Sequence, residues 1–138
     1  MGSTIDMQDL RYINLFGSTT RISTRFCFKY NETIFFCVPK HLVSKAIGEG
    51  GRNIKKMNEI LKRKIKVIPI PNGIQHARHF IEAVVSPVTF KDLGITDDEI
   101  ILTAGSHSKA ALIGRNKRRL LEMQTIVKDF FGKEFRIV

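Results

Sequence analysis

Cysteine is scarce in this chain, which has 138 residues and contains only Cys27 and Cys37. Two cysteines exclude the dense disulfide framework that stabilises many small secreted domains. Both flank a predicted hairpin turn and could lie near each other across it, so a disulfide between them stays open as an alternative. We favour two reduced thiols that pack as small apolar side chains, because cytosolic cysteines usually do so.

A long apolar segment is also missing. No run approaches the ~20 apolar residues that a membrane-spanning helix needs, and residues 1–6 lack the basic and apolar regions of a secretory signal. The sequence therefore predicts a cytoplasmic protein without a membrane partner.

Acidic residues are few, since 13 Asp and Glu stand against 23 Lys and Arg, for a formal net charge of +10. This surplus predicts a polyanionic partner, and an ordinary solvated basic surface is the alternative. Residues 1–72 carry thirteen of the basic but only five of the acidic residues, so the first half should supply more of the long-range attraction. The 43% share of hydrophobic residues is typical of a folded globular protein.

A glycine-rich corner organises the first half of the chain. Its frame is Ile-Gly-x-x-Gly-x-x-Ile over residues 47–54, between a short predicted helix and a longer one. Glycine adopts positive φ without steric cost and lets another backbone approach closely. The amides that begin the second helix lack intrahelical partners and attract anions. A phosphate backbone is therefore a suitable ligand for this corner.

The same pattern recurs 66 residues later, where the Ile-Gly pair of residues 47–48 aligns with the Ile-Gly pair of residues 113–114. A repeat at fixed spacing indicates a duplicated structural unit. Between the copies, the run Pro-Ile-Pro-Asn-Gly over residues 69–73 breaks regular structure and suits a linker. We therefore predict a first domain over 1–70, a linker over 71–75 and a second domain over 76–138.

Hydrophobic periodicity predicts one order of elements in both units: helix, strand, strand, helix, loop, helix, strand. The first helix should begin at a cap on Ser3 or Thr4 and stop at Gly17, and Ser106 could cap the short helix of the second unit. The other predicted helices are 41–47, 52–63, 75–85 and 117–131. The predicted strands are 21–29, 34–38, 64–69, 87–93, 99–103 and 134–138. Each unit should form an α+β fold, a three-stranded sheet covered by helices on one face.

The glycine corner, with Ile47 and Ile54 on either side and a basic helix after it, resembles the GXXG signature of the KH domain, which clamps about four unpaired nucleotides. Only one strand fits between the last predicted helix and Val138, which favours the type II arrangement. Two type II KH domains in tandem resemble the archaeal NusA-like transcription factors. This resemblance implies that single-stranded RNA is a partner and that the role lies in transcription termination or antitermination. It alone implies RNA polymerase as a further partner.

The resemblance also assigns roles to residues. Loop amides would face phosphates, and neighbouring cations would supply the salt-dependent part of the affinity. Ile47, Ile54, Ile65 and Val67 resemble the apolar groove on which bases lie, with a place in the core as an even alternative. The implied RNA-binding residues of the first unit are Ile47, Gly48, Glu49, Gly50, Gly51, Arg52, Ile54, Lys55 and Lys56. Those of the second are Ile113, Gly114, Arg115, Asn116, Lys117, Arg118 and Arg119.

The sequence departs from the signature in both loops. Glu49 places a carboxylate where it would repel phosphate, which predicts weaker binding by the first loop. In the second loop Lys117 replaces the closing glycine, and its β-carbon should obstruct close backbone approach. Asn116 can still adopt a left-handed turn. We favour phosphate binding by the cationic side chains of this loop, and the alternative is a second unit that serves as scaffold.

Other functions have weaker support. A KH protein of the ribosome or of ribosome assembly is the alternative to the NusA-like function, and an enzyme that holds a nucleotide on the basic surface is a third hypothesis. The chain has no nucleophile motif, P-loop or dinucleotide fingerprint, so we predict neither catalysis nor a cofactor. His76 and His79 could form half of a metal site, but surface histidines are the favoured interpretation.

Overall fold

A computed structural model describes residues 7–138 of the chain. The described residues divide into two compact units, one up to residue 70 and one from residue 71 onwards. The predicted cap at Ser3 or Thr4 lies outside the described residues. Each unit has the predicted order of helices and strands.

In the first unit the elements are α1 (Met7–Thr20), β1 (Phe26–Tyr30), β2 (Thr33–Val38), α2 (Val43–Ile47), α3 (Arg52–Leu61) and β3 (Lys64–Pro69). In the second they are α4 (Ala77–Val85), β4 (Asp92–Ile95), β5 (Glu99–Thr103), α5 (Ser106–Ile113), α6 (Arg118–Phe131) and β6 (Glu134–Ile137). Short 3-10 turns occupy Lys40–Leu42, Glu49–Gly51, Ile74–His76 and Arg115–Lys117. The chain is thus α+β, with two three-stranded sheets.

Both sheets have the same topology. In the first, β2 lies in the centre, antiparallel to β1 and parallel to β3. In the second, β5 takes the central place between antiparallel β4 and parallel β6. Asn31 and Glu32 join β1 to β2 with φ values of 52° and 59°, which is the pair of positive φ angles that a tight two-residue hairpin requires.

The core of the first unit lies between its sheet and all three of its helices. Successive strand residues point to opposite faces, and Ile34, Phe36 and Val38 share the face that packs in this core. Phe16 of α1 stacks on Phe36 with ring centroids 4.5 Å apart. Met57 of α3 is fully buried in the same cluster. The sheet and this core fix the position of α3, and hence of the loop that precedes it.

Two boundaries predicted in the first unit are wrong. α1 continues through Gly17 to Thr20, whose hydroxyl donates to the Phe16 carbonyl oxygen (2.8 Å) and accepts from the Ile22 amide (3.1 Å). Ile22 is buried in the core but precedes the strand, which begins at Phe26 instead of Arg21. Core packing thus overrides the helix-stop signal of a glycine.

Two predictions for the second unit are also wrong. The strand predicted over 87–93 lies instead at Asp92–Ile95, so Gly94 is inside it and pairs with Ile101. The residues before it follow α4 as a turn, in which the Val88 amide donates to the Val85 carbonyl oxygen. Ser106 is the first residue of α5 and not its cap, since Gly105 occupies the cap position without a side-chain hydrogen bond.

The two cysteines are free thiols, so the alternative of a disulfide is wrong. Cys27 pairs with Phe36 and lies on the core face of the sheet, whereas Cys37 pairs with Phe26 on the opposite face. Neighbouring positions of paired strands that alternate in this way point their side chains apart. Burial, with a smaller contribution from Cys27, raises the pKa of the Cys37 thiol above its usual range.

Candidate nucleic-acid interface

The loop between α2 and α3 owes its shape to three glycines. Gly48 (φ 83°, ψ 162°) ends α2 in a region of backbone space that is nearly restricted to glycine. Gly50 (φ 64°, ψ 18°) and Gly51 (φ 76°, ψ 20°) follow in the left-handed conformation, and Gly51 caps α3. Two successive left-handed residues turn the chain sharply, so that the free amides of α3 follow directly on the exposed tip of the loop.

Asn53 links this loop to the preceding helix by hydrogen bonds, a role that was not predicted from the sequence. Its side-chain amide donates to the carbonyl oxygens of Ala46 (3.1 Å) and Lys45 (3.4 Å). A β-carbon on Gly48 would lie 3.0 Å from the Asn53 amide nitrogen of the side chain and 3.1 Å from its backbone nitrogen. Glycine is therefore required at position 48 for close packing as well as for its backbone angles. An Asn five residues after a glycine carries no recognised sequence signal for this contact.

The loop between α5 and α6 has the same backbone conformation without the same glycines. Gly114 (φ 76°, ψ 170°) corresponds to Gly48. Asn116 (φ 56°, ψ 28°) and Lys117 (φ 61°, ψ 22°) adopt the left-handed conformation at the positions of Gly50 and Gly51. The Lys117 amide donates to the Gly114 carbonyl oxygen at 3.1 Å, as the Gly51 amide does to Gly48 at 3.0 Å. The second loop thus forms the same turn as the first, although Lys117 takes the place of the closing glycine.

Charge around the first loop lies mainly on the helix that follows it. Arg52, Lys55 and Lys56 of the first turns of α3 are exposed. Glu49, at the tip of the loop, is exposed as well. None of these four side chains forms a hydrogen bond or ion pair with another residue between positions 7 and 138. The first loop therefore presents three available cations beside one available carboxylate.

Charge around the second loop lies on the loop itself. Arg115 and Lys117 are exposed, and neither has an ion pair or hydrogen bond from its side chain to the described residues. Arg118 is exposed at the start of α6. Arg119 differs, because its guanidinium forms an ion pair with Glu122 and its side chain is only 15% exposed. Arg119 also packs against Gly114, where an added β-carbon would lie 2.6 Å from its Cγ, so it supports the loop from within.

The apolar residues proposed to form a groove fall into two groups. Ile65 and Val67 on β3 are 5% and 8% exposed and belong to the core. Ile47 and Ile54 are partly buried and pack against that core from the two sides of the first loop. Ile113 of the second unit is likewise half-buried beside Gly114. Only the isoleucines that flank the loops thus retain surface that a ligand could contact.

His76 and His79 lie apart from both loops in sequence and have partners of their own. The Asn72 amide donates to Nδ1 of His76 at 3.0 Å, and Nδ1 of His79 lies 3.6 Å from a carboxylate oxygen of Glu82. Among residues 7–138 the structure has no group of three potential metal ligands. No helix in the same range is both long and apolar enough to span a membrane.

Comparison with known proteins finds a sequence relative and similar solved structures. No protein-family model matches the chain. Over 91 residues it is 25% identical to a protein of Methanococcus vannielii named "Probable transcription termination protein NusA". That alignment covers 66% of this chain and 51% of the relative, so the chain matches about half the length of that protein. The crystal structure of APE1850 matches with a TM-score of 0.66 and 24% identity, over 97% of this chain and 99% of that one. The structural likeness establishes the fold.

Proposed function

We propose that this chain is a non-catalytic RNA-binding protein of the NusA type, in which two type II KH domains bind single-stranded RNA. The first domain would comprise residues 1–70 and the second residues 76–138, joined by a linker over 71–75. The proposal is supported by the repeated order of elements and by the loop at the same place in each unit. Its connection to transcription is supported by the relative whose name contains NusA.

The observation that carries the proposal is the shared conformation of the two loops. A GXXG loop clamps a nucleic-acid backbone because the loop is slim and its amides precede a helix. Gly48, Gly50 and Gly51 give that shape in the first unit, and Gly114, Asn116 and Lys117 repeat it in the second. The two loops differ in sequence but share one uncommon backbone turn. We therefore infer that a ligand would recognise the shape of this turn.

Binding would divide into a backbone component and a base component. Arg52, Lys55 and Lys56 in the first unit, with Arg115 and Lys117 in the second, are the available cations for phosphates, and contacts of this kind set the salt dependence. Unpaired bases would lie against the half-buried isoleucines Ile47, Ile54 and Ile113, which gives any sequence preference. Two domains on one chain would raise the affinity for an RNA long enough to reach both.

The cellular role proposed from the resemblance is participation in transcription termination or antitermination in the cytoplasm. RNA polymerase is proposed as a partner on the resemblance alone.

Fluorescence anisotropy with short labelled single-stranded RNAs at two salt concentrations tests the proposal. The variant Gly50→Asp/Gly51→Asp places two carboxylates on the first loop, and Arg115→Ala/Lys117→Ala removes two cations from the second. The matched control Lys62→Asn removes a cation at the far end of α3, roughly 15 Å from Arg52. Lys62 already has positive φ (57°), a conformation that asparagine tolerates.

We expect the wild type to bind RNA with an affinity that falls as salt rises. Each double variant should weaken binding at least fivefold, whereas the control should stay within a factor of two. Equal binding to duplex DNA or to an unstructured polyanion would contradict the proposal, because a groove for unpaired bases should discriminate against both.

A further inference from the structure

The two loops carry opposite charges on one backbone conformation. The φ angles of the three matched pairs, Gly48 with Gly114, Gly50 with Asn116, and Gly51 with Lys117, differ by at most 15°. Between the first and second of these positions stands Glu49 in one loop and Arg115 in the other. The backbone amides proposed to bind phosphate thus lie next to the carboxylate of Glu49 in the first loop and next to the guanidinium of Arg115 in the second.

The closing position strengthens this contrast. Lys117 adds a second cation to the second loop at the position where the first loop has Gly51. Its side chain is exposed, so it is not required for packing within the unit. A non-glycine residue in the left-handed conformation costs of the order of 1 kcal/mol, and the second loop retains two in succession.

The helices that follow show the reverse distribution of charge. Lys55 and Lys56 on α3 correspond, 66 residues later, to Leu121 and Glu122 on α6. Leu121 is 56% exposed, and Glu122 forms an ion pair with Arg119. The second unit therefore has its available cations on the loop tip, whereas the first has them on the flank of the helix beside an acidic tip.

We propose that the loop over residues 114–117, although it lacks the closing glycine, is the principal site at which this chain holds the sugar-phosphate backbone of single-stranded RNA. The first loop contributes less, because Glu49 repels phosphate at the point of closest approach. This inference rests on the proposed function and reverses the ranking that the glycine pattern alone would give. Arg115 is the residue expected to dominate, since a guanidinium can donate two parallel hydrogen bonds to one phosphate.

Exchange of the two charges tests the inference in the full-length chain. Arg115→Glu gives the second loop the carboxylate of the first, and Glu49→Arg gives the first loop the guanidinium of the second. The matched control is Lys128→Glu, which changes the charge by the same amount on α6. Lys128 lies ten residues beyond Arg118, roughly 15 Å along the helix, which exceeds the Debye length of about 10 Å at 0.1 M salt.

We expect Arg115→Glu to weaken binding of a short single-stranded RNA at least tenfold. It should also reduce the slope of log affinity against log salt by about 0.7, the value for one phosphate contact on a single strand. Glu49→Arg should tighten binding at least threefold, and Lys128→Glu should change it less than threefold.

Two outcomes would overturn the inference while leaving RNA binding in place. One is an effect of Arg115→Glu no larger than that of Lys128→Glu, and the other is a greater loss from Gly50→Asp/Gly51→Asp than from Arg115→Glu. A wild-type chain that fails to bind single-stranded RNA would instead refute the proposed function itself. Thermal melting of each variant, expected within a few degrees of the wild type, would show that the loss is not caused by unfolding.

Discussion

Replacement of Gly114 by alanine should destabilise the second unit more than a glycine-to-alanine change at any open left-handed position. Two costs add at Gly114. Its backbone angles (φ 76°, ψ 170°) lie in a region nearly restricted to glycine, and occupying such a region with a side chain costs about 1–3 kcal/mol. The new β-carbon would also lie 3.0 Å from the backbone nitrogen of Arg119, which cannot rotate away.

The second cost depends on how far α6 can shift. Arg119 is held by its ion pair with Glu122, and both side chains are largely buried, so movement at its backbone disturbs a packed contact. Adding about 1 kcal/mol for this overpacking gives a total of about 2–4 kcal/mol. A cost of this size is a large fraction of the stability of a small domain.

Gly132→Ala is the matched control. Gly132 also has positive φ (67°), but a β-carbon there would meet no atom within 4 Å, so only the conformational cost of about 1–2 kcal/mol should appear. Urea unfolding followed by far-ultraviolet circular dichroism is the suitable assay, because both tyrosines, Tyr12 and Tyr30, lie in the first unit. A loss from Gly114→Ala no greater than that from Gly132→Ala would refute the argument that close approach of α6 requires glycine.

Further predictions concern the first unit. Phe16→Ala removes a fully buried ring from the core and should lower the free energy of unfolding by about 3–5 kcal/mol, measured by the same urea titration; a loss below 1 kcal/mol would contradict the core assignment. Asn53→Ala removes two hydrogen bonds that hold the first loop and should cost about 1–2 kcal/mol, while RNA affinity falls more than it does for an alanine at exposed Asn14. Cys37 should resist iodoacetamide at pH 8 in a Cys27→Ser background until urea unfolds the chain, because burial raises the pKa of its thiol; rapid labelling of the folded chain would refute this.

Strands are predicted accurately where the residues on either side disfavour a continuation of the strand. The β-branched run that forms β3 (Lys64–Pro69) and the short apolar run that forms β5 (Glu99–Thr103) have the predicted bounds. Each is short, and each is bounded by residues that disfavour its continuation. Local pattern alone was therefore sufficient for these elements.

The helix that should have ended at Gly17 shows where local pattern fails. Tyr12, Phe16 and Thr20 are spaced by four residues, and all three are buried on one face of α1. Burial of that face outweighs the ~1 kcal/mol that glycine costs inside a helix. The helix ends at Thr20, and the next residue, Arg21, has positive φ (64°). A sequence reading based on propensity cannot include this tertiary contribution.

The candidate loops could be predicted from sequence, but their supports could not. The glycines and the 66-residue repeat indicated both loops, and the left-handed conformation of Asn116 followed from its short polar side chain. The roles of Asn53 and Arg119 depend on atoms that approach Gly48 and Gly114 in space. Arg119 was proposed as an RNA contact, whereas its guanidinium is engaged by Glu122, and no sequence rule separates it from its neighbour Arg118.

Amide chemical-shift mapping by NMR shows whether the loop of each unit holds RNA. Spectra of the isotope-labelled full-length chain would be recorded during titration with a short single-stranded RNA. We expect the largest shifts to fall on residues 48–52 and 114–118, with the second group affected at lower RNA concentration. Shifts concentrated elsewhere, with both loops unaffected at saturation, would contradict this expectation.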